Sequence, residues 1–303
     1  MPKAVVLTKY GPPDVLVWED VAMPEPGPRQ VRIRVRCAGV SPTDPKIRGG
    51  YVQAVFHLPA NAVLGFEAAG VVDALGSSVE GITKGDEVAC LLPDLGGYAE
   101  YALVSSWTLK PANVSWADAA ALPSSAEAAV GVLNLLALGR GETLLVLGAA
   151  GSVGMIATQL AASRGATVIG AAAPRDHQML RDLGAVPVSY GPGLADRVRE
   201  TGAPIDAVID AAGKGELKEA VDLAGGPARV VTLADPTAAE LGVAFSSYTP
   251  DRAPEALDQT MALLATDAIR LRRQRNLPLE RAAEAHRLLD SGETHEKLVL
   301  DAP

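Results

Sequence analysis

The strand-forming run Thr143–Leu147 leads directly into Gly148, Gly151 and Gly154, and a second apolar run, Thr167–Ala171, follows at βαβ spacing. This arrangement constrains the chain more than any other. It reads as a buried strand, a tight turn and the first residues of a helix. Glycine there lets backbone approach a pyrophosphate and lets the helix pack close to the sheet. The helix start offers N–H groups and a partial positive charge to phosphate. The pattern departs from G-x-G-x-x-G, because Ala149 stands in the first glycine position.

The end of the second strand bears on which dinucleotide is bound. An NAD site usually carries an acid there for the ribose 2′-hydroxyl. This chain has Ala171–Ala172–Ala173–Pro174–Arg175. Small residues leave room for a 2′-phosphate, and Arg175 can fork onto its oxygens. That favours NADPH. Two alternatives stay open: Arg175 as a solvated residue opening the next helix, and Asp176 serving the ribose if the turn is shifted.

Composition narrows the remaining classes. A length of 303 residues suggests more than one domain, and 48% hydrophobic against 21% charged residues implies a large core. The net charge of −9 argues against a nucleic-acid partner. It also means that an anion site must be built locally. Two cysteines, Cys37 and Cys90, without C-x-x-C, read as reduced, buried thiols. The first residues carry no secretory pattern, and no apolar run is long enough to span a membrane. A cytoplasmic location is expected.

Residues 1–110 read as mostly β. Val31, Ile33 and Val35 alternate with Arg32, Arg34 and Arg36, giving an apolar face and an Arg face that reads as solvated. Short strands separated by Gly and Pro suggest a compact, partly open β-barrel. After Pro111 the chain turns helical, and then strands and helices alternate through Ser247. This predicts a doubly wound parallel sheet of six strands. Helix, helix and strand near the end are expected to return to the first domain. The expected division is 1–115, 116–250 and 251–303.

Several stretches together resemble the medium-chain dehydrogenase/reductase superfamily, and within it the zinc-independent quinone oxidoreductase branch. They are Gly39–Arg48, Leu64–Val72, Gly96–Tyr101, the nucleotide turn, Asp206–Gly213 and Ala282–Leu289. The resemblance covers essentially the whole chain. It implies an α/β fold with a Rossmann doubly wound parallel sheet inserted into a GroES-like, partly open β-barrel domain. It also implies NADPH as cofactor and a homodimer formed by pairing the last nucleotide-domain strands, here Val243–Ser247. Cofactor contacts are then expected at Gly148, Gly151, Ser152, Val153, Gly154, Ala173, Arg175, Tyr190, Ala211 and Leu233. Tyr190 either stacks near the 2′-phosphate or is an ordinary turn residue.

Zinc-dependent members carry a Cys and a Gly-His-Glu where this chain has Ser41 and Phe66, and its four histidines are scattered at 57, 177, 286 and 295. A catalytic metal is not expected. His286 lies on an amphipathic helix and reads as structural. Without zinc, the resemblance implies hydride transfer to a conjugated acceptor: a quinone, an enone or an alkenal. The catalytic candidates are Tyr51, Ser41, Lys46, Asp44 and Glu127. Tyr51 reads equally as a half-buried packing residue, and Asp44 as fixing a strand-turn. Glu127 stands where relatives commonly have Thr beside the nicotinamide; it is either an acid/base group or points into solvent. Pro45 for Trp and the loop with Phe56 and His57 are further departures. They leave two other readings open: a pathway-specific reductase or cyclase acting on a natural-product intermediate, and a non-catalytic NADPH-binding sensor or structural protein.

Overall fold

The structure, a computed structural model, describes residues 1–53, 58–249, 251–292 and 294–303. Phe56 and His57 therefore lie outside the described residues. The chain divides into two compact units. One comprises Met1–Ser124, Leu257–Thr266 and Arg273–Pro303, the other Ser125–Ala256 and Asp267–Arg272.

The first unit is built on β-sheet. Among the described residues it holds one seven-stranded sheet and one of three strands. The Val31–Gly39 strand is central. It pairs antiparallel with Glu67–Leu75, Tyr101–Val104 and Lys297–Asp301. Its apolar alternation does what the period predicts: Val31, Ile33 and Val35 are buried in the core. Its Arg face is less uniform than expected. Arg34 and Arg36 are exposed, whereas Arg32 is tied to Asp73 at 2.6 Å. The small sheet joins Lys3–Leu7 to Leu16–Asp20 and Ala62–Val63. It meets the segment before Tyr101–Val104 through an Ala4–Ala99 bridge and the Val5 N–H, which donates to Tyr98 O at 2.8 Å. Cys37 and Cys90 are both free and buried.

Strands Leu16–Asp20, Ser106–Leu109 and Gln274–Pro278 went unanticipated, as did a helix over Thr43–Arg48 where a strand-turn was expected. Prolines at positions 42 and 45 do not oppose this helix. They fall at its start, where N–H groups have no intrahelical acceptor.

The second unit carries the expected parallel sheet. Its strands are Thr143–Leu147, Thr167–Ala172, Ala185–Ser189, Ala207–Asp210, Val230–Thr232 and Ala244–Phe245. In space the third, second, first, fourth, fifth and sixth follow one another, all parallel. Strand order reverses beside the first strand, the crevice where such sheets bind ligands at their carboxyl ends. Leu144, Leu145 and Val146 are fully buried, as a strand covered on both faces requires.

Candidate functional site

The carboxyl end of Thr143–Leu147 makes the expected tight glycine turn. The Gly148 and Ala149 N–H groups both donate to Ala171 O at 3.1 Å, which turns the chain over the neighbouring strand. Gly148 has φ +78°, and a Cβ there would lie 3.1 Å from Ala212 Cβ. Gly154 has no room at all: a Cβ would overlap the Gly148 carbonyl and lie 2.8 Å from Ala149 Cα. The helix Ser152–Ser163 therefore sits directly on the turn, with Gly151 as its N-cap and no side chain capping it. Ser152, Val153 and Gly154 supply first-turn N–H groups that lack intrahelical acceptors. Ala149 is tolerated because Gly170 on the next strand leaves space for its methyl group.

The loops after the other strands are held by a knot that sequence reading missed. Asp210 ends the fourth strand. Its Oδ1 accepts the Ala212 and Gly213 N–H groups, both at 2.9 Å, and its Oδ2 accepts the Thr232 hydroxyl at 2.8 Å. Thr232 Oγ1 in turn accepts from Ala234 and Asp235 N–H. Ala211 N–H donates to Leu147 O and Leu233 N–H to Asp210 O. Ala211 and Leu233 thus line adjacent strand ends. The available signal was an Asp closing a buried strand before Ala-Ala-Gly.

Ala173 leaves the second strand in extended conformation, and Arg175 follows within a short 3-10 turn. The Arg175 side chain is half exposed, with Nε 3.8 Å from Asp176 Oδ2. Tyr190 is exposed, and its N–H donates to Ala172 O at 3.4 Å.

The candidates of the first unit separate into two groups. Lys46 and Tyr51 line a surface pocket of about 300 Å³ with Pro42, Pro45, Leu289 and Asp290. Tyr51 is highly exposed rather than half-buried. Ser41 and Asp44 instead organise backbone. Ser41 Oγ accepts the Thr43 N–H at 3.1 Å. Asp44 is fully buried; its carboxylate accepts the Ser41 N–H at 2.7 Å and the Gly65 N–H at 3.2 Å. Burial pushes the Asp44 pKa up to about 7, against the pull of the Ser41 N–H. A buried chain extends from it. Tyr98 bonds Asp44, His286 Nε2 lies 3.4 Å from the Tyr98 hydroxyl, and Arg48 lies 3.2 Å from His286 Nδ1. Arg48 also pairs with Asp290 at 2.8 Å. His286 is fully buried, and its pKa is pushed down to about 3 by burial and then by Arg48. Its neutral ring accepts from Arg48 and donates to Tyr98, a structural arrangement.

Glu127, in the second unit, is neither solvated nor free. Both carboxylate oxygens bond Arg252, one of them to Nε at 2.8 Å, and Arg252 also donates to the buried Ser246 hydroxyl at 2.7 Å. Gly131, one turn along the same helix, makes room for the Arg252 stem; a Cβ would lie 2.5 Å from its Nε.

A glycine turn and helix at the reversal point of a six-stranded parallel sheet define a Rossmann dinucleotide-binding protein of the dehydrogenase kind. Family comparisons agree. Residues 27–113 match "Alcohol dehydrogenase GroES-like domain", and residues 183–300 match "Zinc-binding dehydrogenase". The chain is 31% identical to a quinone oxidoreductase of Pseudomonas aeruginosa, with 99% of each covered. It is 36% identical to a 2-methylene-furan-3-one reductase of Solanum lycopersicum, across 76% of this chain and 62% of that one, less than two thirds of its length. The solved quinone oxidoreductase of Coxiella burnetii superposes with TM-score 0.88 at 30% identity, covering 100% of this chain and 99% of that one. The chain belongs to the medium-chain dehydrogenase/reductase superfamily, in its quinone oxidoreductase-like branch.

The second family's description raises zinc. Ser41 and Phe66 stand at the expected ligand places. The adjacent Glu67 is fully buried, paired with Lys297, and accepts the Ser124 N–H at 2.9 Å. Among the described residues no group of three or more His, Cys, Asp or Glu could hold a metal ion. This donor set does not fit zinc.

Proposed function

We propose that this chain is an NADPH-dependent reductase that delivers hydride to a conjugated carbonyl acceptor, a quinone, enone or alkenal, without a metal. The observation that carries the reading is the Gly148–Gly154 cradle at the sheet reversal, which closes if Gly154 gains a side chain. The relatives' names, quinone oxidoreductase and 2-methylene-furan-3-one reductase, support the acceptor class. The choice of NADPH over NADH rests on Ala172 and Ala173 at the strand end and on Arg175 beyond them.

Bound nicotinamide supplies the hydride. The chain's own residues do the rest. First-turn N–H groups of Ser152, Val153 and Gly154 hold the pyrophosphate. Arg175 binds the 2′-phosphate, and Tyr190 offers a plane beside it. Conjugation spreads the developing charge to the acceptor oxygen, so one hydroxyl or ammonium donor suffices. Tyr51 and Lys46, which share a pocket, are the donors of the first unit. Asp44 acts as a positioning residue through the Ser41 and Gly65 N–H groups. Glu127 is a structural partner of Arg252 rather than the acid. The assembly that fits the open edge at Ala244–Phe245 is a homodimer.

The test is NADPH oxidation against a panel of quinones and enones, before and after prolonged chelation. Turnover that survives EDTA and exceeds that with NADH is expected. Loss on chelation with recovery on zinc would overturn the metal-free reading. Tight NADPH binding with no turnover on any acceptor would favour a non-catalytic binding protein instead.

A further inference from the structure

Lys214 is a cation that neither the sequence pattern nor the proposed chemistry has used. It follows the fourth strand, Ala207–Asp210, at the carboxyl edge of the parallel sheet, and it is exposed. Its Nζ lies 4.7 Å from the centroid of the Tyr190 ring. Tyr190 follows the third strand, and its backbone N–H reaches Ala172, the last residue of the second. Arg175 lies three residues beyond Ala172. Loops after the third and fourth strands thus bring a lysine and a phenol ring together, and the loop that carries Arg175 leaves the second strand, the neighbour of the third.

Backbone on both sides of this contact is fixed. Asp210 accepts the Ala212 and Gly213 N–H groups just before Lys214, and Glu216 just after it accepts the Gly191 N–H at 3.2 Å. On the other flank, Arg197 donates to Ser189 O at 2.8 Å and to Gly191 O at 2.9 Å. Both loops are thus tied by hydrogen bonds, while Lys214 itself is exposed.

We propose that Lys214 is a specificity-determining residue for the cofactor, the second cation, with Arg175, for a ribose 2′-phosphate beside Tyr190. The proposal rests on the NADPH reading. In a chain of net charge −9, a phosphate dianion must find its countercharge in single local residues. A guanidinium fork and an ammonium point charge bind such a group in complementary ways. An exposed cation–π contact is weaker than a charge-assisted hydrogen bond to phosphate. Lys214 therefore leaves the Tyr190 face when the phosphate arrives and uncovers the ring as a stacking surface. A cofactor without the 2′-phosphate has nothing to draw it away.

Titration calorimetry with 2′,5′-ADP and 5′-AMP, which differ only in the 2′-phosphate, tests this on the full chain. Wild type should bind 2′,5′-ADP more tightly. Lys214→Ala should lose about tenfold or more for 2′,5′-ADP, the scale of one charge-assisted hydrogen bond, and leave 5′-AMP within about twofold. Lys214→Arg should retain most of the preference. No preference in wild type would overturn the NADPH reading, and this proposal with it. A wild-type preference that Lys214→Ala leaves intact would overturn the role of Lys214 alone. So would equal losses for both ligands, which would make Lys214 a support for Tyr190 only.

Discussion

Glu127 and Arg252 form a buried, bidentate pair, with side chains only 9% and 7% exposed. The energetics of such a pair are asymmetric. Its net contribution against a well-packed apolar pair is small, but removing one partner strands the other charge. Glu127→Gln should therefore destabilise the second unit by about 3–5 kcal/mol, the range for breaking a buried pair, as read by urea unfolding. In variant molecules that remain folded, the pH profile of turnover should keep its wild-type shape, because both carboxylate oxygens are engaged by Arg252. A displaced pH profile with unchanged stability would return Glu127 to the chemistry. The two partners are 125 residues apart, and nothing local to either announces the other. Glu127 could be flagged from sequence only as out of place. The same holds for Lys214 and Tyr190, which meet only once two loops fold over one sheet edge. The glycines at 148, 151 and 154 were legible because their constraint is local: backbone shape and the close approach of a helix.

At the level of elements, strongly periodic or fully apolar segments were read nearly to the residue. Thr143–Leu147 and the second strand, expected over Thr167–Ala171 and found over Thr167–Ala172, are examples. Segments whose form depends on a neighbour were not. Gln274–Pro278 buries only Leu277 and exists as a strand because Lys297–Asp301 lies beside it. The last parallel strand shortened from the expected Val243–Ser247 to Ala244–Phe245, both exposed, at the end of the sheet. Among the described residues it pairs only with Val231 and Thr232, and the Ser246 N–H already donates inward to Thr232 O at 2.8 Å. By strand alternation, the Phe245 N–H faces the open edge. A substitution at Phe245 therefore probes edge pairing with less disturbance of the internal ladder than one at Ala244. Phe245→Lys should convert the proposed homodimer to monomers at micromolar concentration in sedimentation, because charge on an edge strand opposes further pairing. A dimer that persists in this variant would place the contact elsewhere.

For the whole molecule, acid response follows from a few displaced titrations of opposite sign. His286 falls from 6.5 to about 3, so between those values the unfolded chain binds an extra proton and stability is lost as pH falls. Asp44 rises from 3.8 to about 7, so between those values the folded chain holds the extra proton and stability is lost as pH rises. Between about pH 4 and 6.5 the two slopes oppose each other, each about 1.4 kcal/mol per pH unit for one proton. Arg229 holds Glu142 down from 4.5 to about 2, which adds to the acid loss only below about pH 4.5. From these groups, stability should change little from pH 5 to 6.5 and decline in stronger acid. Asp44→Asn removes one side of the balance. That variant is expected to be less stable overall, because Asp44 anchors the Ser41 and Gly65 N–H groups. Its unfolding free energy should nevertheless rise from pH 5 to 6.5, where wild type stays nearly flat. The measurement is the slope across urea-unfolding midpoints at several pH values, which the offset in stability does not affect. Equal slopes in the two proteins would mean that Asp44 is ionised in the folded state and that the buried chain from Asp44 through Tyr98 to His286 does not set the acid response.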